Sequence, residues 1–355
     1  MRVLLTGGAG YIGAHTAALL LQAGVEVVIA DDFSASAPAV IGRITAVARQ
    51  APSVYQVDVA DTAGLQTVFD REQPDAVLHF AGRKSVAESV ASPLAYYANN
   101  LGAILSLLQC MRRAGVKRLI VSSSAAVYGT QDVSPLTERA AVGGCASPYG
   151  WSKFMLEQIV RDEAAARGDF SAVLLRYFNP AGAHPSGLLG EDSASGSLMT
   201  ALVQTAAGQR PALQICGGDY PTADGTGVRD YLHVMDLARG HLAALHYSMA
   251  HSGVEAVNLG AGRGCSVLEL VETFRRVNHV TVPVQMAARR PGDVAVCYAD
   301  VSRARALLGW EPRCSLAEIC RDAWNWQVKN PAGYETQWKE QSNGGAVDDP
   351  GDRAY

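Results

Sequence analysis

The chain has 355 residues, of which 48% are hydrophobic, so it can bury a large core, and its length favours about two domains. Its net charge of −4 and the lack of any apolar run near the ~20 residues that span a bilayer disfavour nucleic acid and membrane as partners. Seven cysteines without a Cys-x-x-Cys pair, and a start without signal-peptide anatomy, predict a cytoplasmic protein with no disulfide framework and no metal site.

Short apolar runs alternate with helical patterns from the first residues onward. A helix is predicted over Tyr11–Ala23. The predicted strands of this part of the chain are Arg2–Thr6, Val25–Ala30, Val54–Val57, Ala76–Phe80, Arg118–Ser122 and Val173–Tyr177. Continuous apolar strands separated by helices are typical of a parallel sheet covered on both faces. The pattern therefore predicts an α/β fold with a doubly wound parallel sheet.

The regular alternation of strand and helix patterns ends after about residue 178. Frequent Gly, Pro and Asp there predict long loops over 179–192 and 217–227. Further helices are predicted near 197–208, 235–250, 267–277 and 315–328, and strands near 256–259 and 282–285. We therefore predict a first domain over 1–178, to which segments of about 228–260 return, and a smaller α/β substrate-binding domain over 179–335. The polar stretch 336–355 is predicted to be a flexible tail.

A glycine-rich turn, Thr6-Gly7-Gly8-Ala9-Gly10-Tyr11-Ile12-Gly13, follows the first strand and opens the first helix. Glycines let the backbone approach a pyrophosphate, and a helix N-terminus supplies N–H groups and the positive end of its dipole. The second strand runs into Asp31-Asp32, where an acid can hold a ribose hydroxyl and disfavours a 2′-phosphate. The turn therefore predicts a site for NAD rather than NADP.

The segment Ser147-Pro148-Tyr149-Gly150-Trp151-Ser152-Lys153 carries a candidate acid/base pair. Ser147 suits a helix N-cap and Pro148 the first helical position, so Tyr149 and Lys153 lie one turn apart on one face. A neighbouring ammonium and a cationic nicotinamide both favour tyrosinate, so they can bring the phenol pKa down. An ordinary surface helix is the alternative, and the adjacent dinucleotide turn favours catalysis.

A serine run, Ser122-Ser123-Ser124, lies at the end of a predicted strand. Ligands in such sheets bind beyond the carboxyl ends of strands, so Ser124 is placed to relay a proton or to hold a substrate oxygen. The alternative is a turn whose hydroxyls satisfy backbone groups.

Several long and specific sequence motifs lie between Met1 and about Gly333. They are Arg2–Gly13, His79–Gly82, Ser122–Gly129, Arg176–Pro180, Gly182–Gly187, Asp224–Asp236 and Arg289–Asp293. In these motifs the sequence resembles the UDP-galactose (UDP-glucose) 4-epimerase family of the extended short-chain dehydrogenase/reductase superfamily. The resemblance implies an N-terminal NAD-binding Rossmann domain, a small C-terminal substrate domain and a homodimer.

The resemblance also implies the chemistry. Tyr149 would take the proton of the sugar 4-hydroxyl while C4 gives a hydride to NAD⁺; the 4-ketose would turn, and the hydride would return to its other face. Lys153 would bond the nicotinamide ribose, and Ser124 would help the proton to move. Besides Tyr149 and Lys153, the implied cofactor contacts are Gly7, Gly10, Tyr11, Ile12, Gly13, Asp31, Ser36, Asp58, Val59, Phe80, Ala81, Lys84, Asn99, Ser122 and Phe178.

The substrate diphosphate needs cationic donors, and Arg229 and Arg290 lie in motifs that match the family. A surface ion pair with Asp230 or Asp293 is the alternative for each arginine. Asn179 would hold a diphosphate oxygen or a sugar hydroxyl, whereas His233 is interpreted as a packed structural histidine. Besides these two arginines and Asn179, the implied substrate contacts are Lys84, Ser124, Tyr149, Ser197, Leu198, Cys216, Asp293 and Cys297.

Three substrate positions depart from the family pattern. Ser197-Leu198-Met199 stands where the family usually carries a pair of asparagines before the Leu-Met word. Cys216 replaces an aromatic ring beside the uracil, a stack worth about 1–3 kcal/mol, so nucleobase preference can differ although uridine remains favoured. Cys297 stands where some members carry a tyrosine, and its small size predicts that UDP-N-acetylgalactosamine is accepted beside UDP-galactose.

Other functions are weighed against this reading. A 4,6-dehydratase needs an acid beside the serine, and Ala125 and Ala126 carry no proton. An epimerase for a uronic acid or another nucleotide sugar, a dehydrogenase that releases NADH, and a catalytically silent NAD-sensing protein stay open. The dimer would use helices near 93–114 and 149–167, where Ala103, Ile104, Leu107 and Leu108 form either a contact stripe or a core face.

Overall fold

The computed structural model describes residues 1–131, 133–192, 196–290 and 292–334. The predicted tail over 336–355 lies outside the described residues, as does residue 335, the last of the predicted substrate domain.

The strands are short and mostly parallel. They are β1 Arg2–Thr6, β2 Glu26–Asp31, β3 Ser53–Gln56, β4 Ala76–His79, β5 Arg118–Ser124, β6 Ser171–Tyr177, β7 Asn179–Ala181, β8 Leu213–Cys216, β9 Val228–Arg229, β10 Tyr231–His233, β11 Gly253–Leu259, β12 Cys265–Ser266, β13 Val284–Ala287 and β14 Val296–Cys297.

The helices connect these strands. They are α1 Tyr11–Gln22, α2 Ala39–Ala48, α3 Thr62–Glu72, α4 Val86–Ala91, α5 Pro93–Arg113, α6 Pro148–Arg167, α7 Leu198–Ala206, α8 Val234–Ala250, α9 Val267–Asn278, α10 Ser302–Leu308 and α11 Leu316–Lys329, with a 3₁₀ turn over Ala125–Tyr128. Among the described residues, none of these helices combines the length and apolar character needed to cross a membrane.

A seven-stranded parallel sheet in the order β11-β6-β5-β4-β1-β2-β3 forms the centre of the fold. Neighbouring residues of β1 face opposite layers: Leu5 packs in the core with α1, α2 and α8, and Leu4 packs in the core with α3, α5 and α6. The predicted doubly wound α/β fold is confirmed. Chain order reverses between β1 and β4, which is where such sheets bind ligands beyond the strand ends.

The second half of the chain forms short strands around a third core. Strands β7 and β10 pair, β12, β9 and β14 form a three-stranded sheet, and β8 pairs with β13. The prediction of a loop over 179–192 is wrong at its start, because Asn179–Ala181 pair in parallel with Tyr231–His233. Of the described second half, only β11 rejoins the large sheet, beside β6. Residues 217–227 contain only turns and bends, as predicted.

The apolar stripe on α5 belongs to the core. Ala103, Ile104, Leu107 and Leu108 are all buried in the cluster with α3 and α6. They are therefore internal packing residues, and the interpretation of this stripe as a contact between subunits is wrong.

Candidate active site

The candidate residues gather at one edge of the large sheet. The glycine-rich turn follows β1, Asp31 ends β2, Val59 comes soon after β3, Phe80 follows β4, Ser124 ends β5, and Phe178 follows β6. Because these strands are parallel, their carboxyl ends meet along one edge. The sheet itself therefore brings together residues that are far apart in sequence.

The glycine-rich turn leaves no room for side chains. Gly7 has φ +70°, and a Cβ there would lie 2.5 Å from the Ala81 backbone nitrogen. A Cβ at Gly13 would lie 2.5 Å from the Gly7 carbonyl oxygen, so helix α1 packs directly on the turn. Gly10 is the N-cap of α1 and has no side chain, so no side chain at this position caps the helix, and the first turn carries no acidic residue. This N-terminus is suited to bind an anion.

Asp31 places a buried carboxylate beside the turn. It accepts hydrogen bonds from the Ala9 and Phe33 backbone N–H groups at 2.9 Å each and from the Ser36 hydroxyl at 3.0 Å. Burial raises the pKa of this carboxyl. A carboxylate has about four acceptor sites, so a position remains for a ribose hydroxyl.

The other implied cofactor contacts have varied surroundings. Phe80 and Ala81 both donate their backbone N–H groups to the Thr6 carbonyl oxygen, at 2.8 and 2.9 Å. The Tyr11 hydroxyl donates to the Gly182 carbonyl oxygen at 2.7 Å. Asp58 is exposed, Val59 is buried and Asn99 on α5 is partly buried.

Tyr149 and Lys153 lie at the start of α6, one turn apart, against the end of β5. Ser147 caps this helix by accepting a hydrogen bond from the Gly150 backbone N–H at 3.2 Å, as predicted. The Ser124 hydroxyl accepts from the Ala126 backbone N–H at 3.1 Å and lies close enough to the Tyr149 phenol to lower its pKa. The Lys153 ammonium donates to the Ser122 carbonyl oxygen at 2.7 Å. The three candidate catalytic residues are therefore brought together.

Burial dominates the electrostatics of this pair. It raises the pKa of the Tyr149 phenol, against a smaller downward effect of the Ser124 hydrogen bond. It lowers the pKa of Lys153 to about 8, against an opposite effect of Glu157. The expected lowering of the tyrosine pKa is therefore not supplied by the chain alone, because the buried phenolate loses its hydration.

Arg229 and Cys297 are neighbours in the substrate half, paired across β9 and β14. The Arg229 guanidinium lies 3.6 Å from the Asp293 carboxylate and donates to the Val228 carbonyl oxygen at 2.9 Å. Of the two acidic residues expected as ion-pair partners of Arg229, Asp293 therefore lies close to it. Asp230 instead accepts from three backbone N–H groups, those of residues 261, 262 and 299.

The remaining substrate candidates lie on short elements. Asn179 and Arg290 are exposed, and Cys216 ends β8 as a partly buried thiol. Ser197 caps α7, whose first residue is Leu198, by accepting from the Thr200 N–H at 3.1 Å. The buried His233 caps α8 by accepting from the Met235 N–H at 3.0 Å, which supports its structural interpretation.

Glu191 links the two halves and was not singled out from the sequence. Its carboxylate lies 3.3 Å from the Lys84 ammonium and accepts a 2.6 Å hydrogen bond from the Ser197 hydroxyl. It thus joins an implied cofactor contact to an implied substrate contact. A single acid inside a predicted loop carries no periodic signal that would have marked it.

Comparisons with known proteins agree with this arrangement. The model of the GDP-mannose 4,6 dehydratase family matches residues 4–323. The chain is 48% identical to the UDP-glucose 4-epimerase of Pasteurella multocida (strain Pm70), over 94% of this chain and 99% of that protein.

The chain belongs to the UDP-glucose 4-epimerase family.

Solved structures of this family share its fold. The UDP-glucose 4-epimerase from Bifidobacterium longum in complex with NAD⁺ and UDP superimposes with a TM-score of 0.91 at 45% identity, covering 94% of this chain and 100% of that chain. The UDP-glucose 4-epimerase from Stenotrophomonas maltophila with bound NAD and formylated UDP-arabinopyranose gives 0.91 at 45%, covering 93% and 99%.

Proposed function

We propose that the chain is an NAD-dependent epimerase that interconverts UDP-glucose and UDP-galactose by inverting C4 through a transient 4-keto sugar. The observation that carries the proposal is the shared position of the three residues: Tyr149 and Lys153 lie one helical turn apart on α6, and the Lys153 ammonium donates to the Ser122 carbonyl oxygen at the end of β5, next to Ser124. Relatives that bear this name are nearly half identical over almost the whole chain.

The described residues fit NAD. The turn at Gly7 and Gly13 leaves no space for a Cβ, and the uncapped start of α1 offers donors to a pyrophosphate. The buried Asp31 carboxylate would accept from a ribose hydroxyl and would repel a 2′-phosphate. Bound NAD supplies the hydride acceptor and donor for C4, together with a ring charge that favours the phenolate. The other cofactor contacts that the resemblance implies are proposed to contact NAD as well.

Tyr149 would act as the base that takes the 4-hydroxyl proton and as the acid that returns it. Ser124 would hold the phenol oxygen and the sugar oxygen in line through its hydroxyl. The Lys153 ammonium would favour the phenolate by its charge and would donate to the nicotinamide ribose. Ala125 and Ala126, next to Ser124, carry no proton, which supports epimerisation over elimination of water.

Two arginines would hold the substrate diphosphate. The Arg229 side chain is mostly buried, and its guanidinium lies 3.6 Å from the Asp293 carboxylate, so a phosphate would replace or share that partner. Arg290 is exposed and would close on the second phosphate group. Asn179, Ser197 and the other implied substrate contacts would line the same cleft.

The test is turnover with the purified chain. Incubation with UDP-galactose and NAD⁺ should form UDP-glucose without net accumulation of NADH. Stoichiometric NADH would instead identify a dehydrogenase that releases its cofactor. Binding of NAD with no sugar conversion would identify a silent NAD-sensing protein.

A second candidate is epimerisation of a different nucleotide sugar, and Cys216 is the observation that favours it. A thiol at the place of an aromatic ring weakens stacking on the base. The Stenotrophomonas maltophila relative holds a UDP-pentose derivative, so sugars other than hexoses enter sites of this kind. A panel of UDP-, dTDP-, CDP- and GDP-hexoses, extended to uronic acids and N-acetylhexosamines, separates these substrates.

The assembly and location are parts of the same proposal. A homodimer through α5 and α6 is supported by exposed apolar side chains on these helices: Leu94 is 80% exposed, Leu105 is 46% and Met155 is 38%. Leu105→Glu should give a monomer by light scattering if this face pairs. The division into a first domain over 1–178, to which segments of about 228–260 return, and a second domain over 179–335 is retained, as is a cytoplasmic location, which the seven free thiols support.

A further inference from the structure

A buried carboxylate on α6 lies close to the candidate catalytic residues. Glu157 is one turn after Lys153 on α6 and is 2% exposed. It accepts two hydrogen bonds from the Arg176 guanidinium, at 2.9 and 2.7 Å, one from the Ser123 hydroxyl at 2.6 Å and one from Arg161 at 3.2 Å. A buried charge with this many donors is held in one geometry.

Ser123 connects this carboxylate to the reacting groups. It lies between Ser122, whose carbonyl accepts from Lys153, and Ser124, whose hydroxyl lies near the Tyr149 phenol and lowers its pKa. Successive side chains of a strand point to opposite faces, so Ser123 reaches Glu157 on the face away from the hydroxyl of Ser124. A shift of Ser123 would therefore move both contacts of the catalytic pair.

Arg176 extends the cluster across the sheet. Its remaining terminal nitrogen donates to the Tyr128 hydroxyl at 3.1 Å, and that hydroxyl donates to the Asn258 side-chain oxygen at 2.6 Å. Strands β5, β6 and β11 are thereby joined to α6 through side chains that are almost fully buried. Such a network is rigid because each polar group in it loses its partner if one member moves.

We propose that Glu157 is a positioning residue of the epimerase: through Ser123 it fixes the strand end that holds Tyr149 and Lys153, and through its charge it stabilises the Lys153 ammonium. The inference rests on the proposed function. The charged groups that face Glu157 are Arg176 from β6 and Arg161 and Lys153 from its own helix. Lys153 is faced in addition by Tyr149 and by the buried, neutral His79 of β4.

The two arms of the proposal have separate tests. Lys153 has a pKa of about 8, so its ammonium is present below that pH and is lost as pH rises through it. Glu157→Gln removes the negative charge that raises this pKa, so the alkaline limb of the kcat/KM profile should move to lower pH by at least half a unit. Ser123→Ala keeps the negative charge of Glu157 and removes its hydrogen bond to β5. We therefore expect kcat to fall about tenfold, while the alkaline limb of the kcat/KM profile stays at the same pH.

Glu163→Gln is the matched control, because Glu163 is also an α6 carboxylate paired with arginines, Arg112 of α5 and Arg167 of its own helix. It should leave both readouts unchanged. Equal loss at every pH in Glu157→Gln, or an unchanged kcat in Ser123→Ala, overturns the corresponding arm. Should Glu157→Gln fail to fold, Ser123→Ala still decides the positional arm.

A substrate-free readout separates this inference from the proposed function. NMR of the Lys153 side-chain resonances gives the midpoint of the ammonium directly in wild type and in Glu157→Gln. A lower midpoint in the variant supports the role of Glu157 even if the wild-type chain converts no UDP-galactose, whereas wild-type turnover with equal midpoints overturns the electrostatic arm alone.

Discussion

The candidate site has two sides of different construction. On the cofactor side, which comprises the glycine-rich turn, Asp31, Ser124, Tyr149 and Lys153, the charged groups are buried and hydrogen-bonded within the chain: Lys153 is 5% exposed and Asp31 is 6%. On the substrate side, which comprises Asn179, Arg229, Arg290, Asp293, Cys216 and Cys297, most side chains are exposed or partly exposed. A long parallel sheet fixes the first set in advance, whereas strands of two to four residues hold much of the second. We therefore expect substitutions on the cofactor side to abolish activity, and those on the substrate side to change affinity and selectivity.

The largest effect is expected for Tyr149→Phe. The change removes one hydroxyl from the end of a ring, so packing and bound NAD should be retained. General acid–base catalysis contributes about 10²–10⁴-fold, and kcat for UDP-galactose should fall by that factor. Tyr247→Phe, on α8 and stacked on His251, is the control and should be active. Near wild-type turnover in the Tyr149 variant would show that another group moves the proton.

Gly7→Ala tests whether the cofactor side is as closely packed as it looks. The new Cβ would lie 2.5 Å from the Ala81 backbone nitrogen at a left-handed φ of +70°. Purified protein should lose its bound NAD and at least a hundredfold of its activity. Gly24→Ala has a similar φ of +78° with nothing within 4 Å, so it carries only the backbone cost, about 1–2 kcal/mol of stability. If both variants keep NAD equally, close approach at Gly7 does not matter for binding.

The cofactor side could be predicted from the sequence because its signals are local. The strand, glycine turn and helix from Arg2 to Gln22 are continuous in sequence, and Tyr149 and Lys153 share one helix. Helix capping by Ser147 could also be predicted from residue type and spacing. The rules for parallel sheets then place the strand ends together without further information.

The substrate side could not be predicted to the same depth, since its strands are too short to show a period. Residues Val228–Arg229 and Val296–Cys297 pair only because the chain folds back between them, and that proximity has no local signal. The same is true of Glu191 and of Arg176 with Glu157, whose partners lie in other elements. The apolar stripe on α5 has a clear period but an ambiguous meaning. Its periodicity predicts that this face is buried, but does not say whether it packs against the core or against a second subunit.

Arg229→Met should weaken substrate binding while sparing the cofactor. A hydrogen bond to a charged group is worth about 1.5–3 kcal/mol, so KM for UDP-galactose should rise about 10–100-fold with bound NAD unchanged. Arg263→Met, which removes an exposed arginine paired with Glu269, is the control and should leave KM unchanged. An equal loss in both variants would indicate a general charge effect, and an unchanged KM for Arg229→Met would return Arg229 to the role of an ion-pair partner of Asp293.

The smallest effect, and the most selective, is expected for Cys297→Tyr. Cys297 lies beside Arg229 in the β9–β14 pair and is partly buried against the main core, so a larger ring would fill space at the proposed substrate site. UDP-N-acetylgalactosamine should lose about tenfold or more in kcat/KM, while UDP-galactose, which lacks the acetamido group, should lose only a fewfold, since one well-placed clash of this size is worth about 1–3 kcal/mol. Cys297→Ser keeps the small volume and should accept both sugars. Equal losses for the two sugars in the tyrosine variant would mean that the ring disturbs the strand pair rather than the pocket, and selectivity would then have to come from a part of the substrate side other than Cys297.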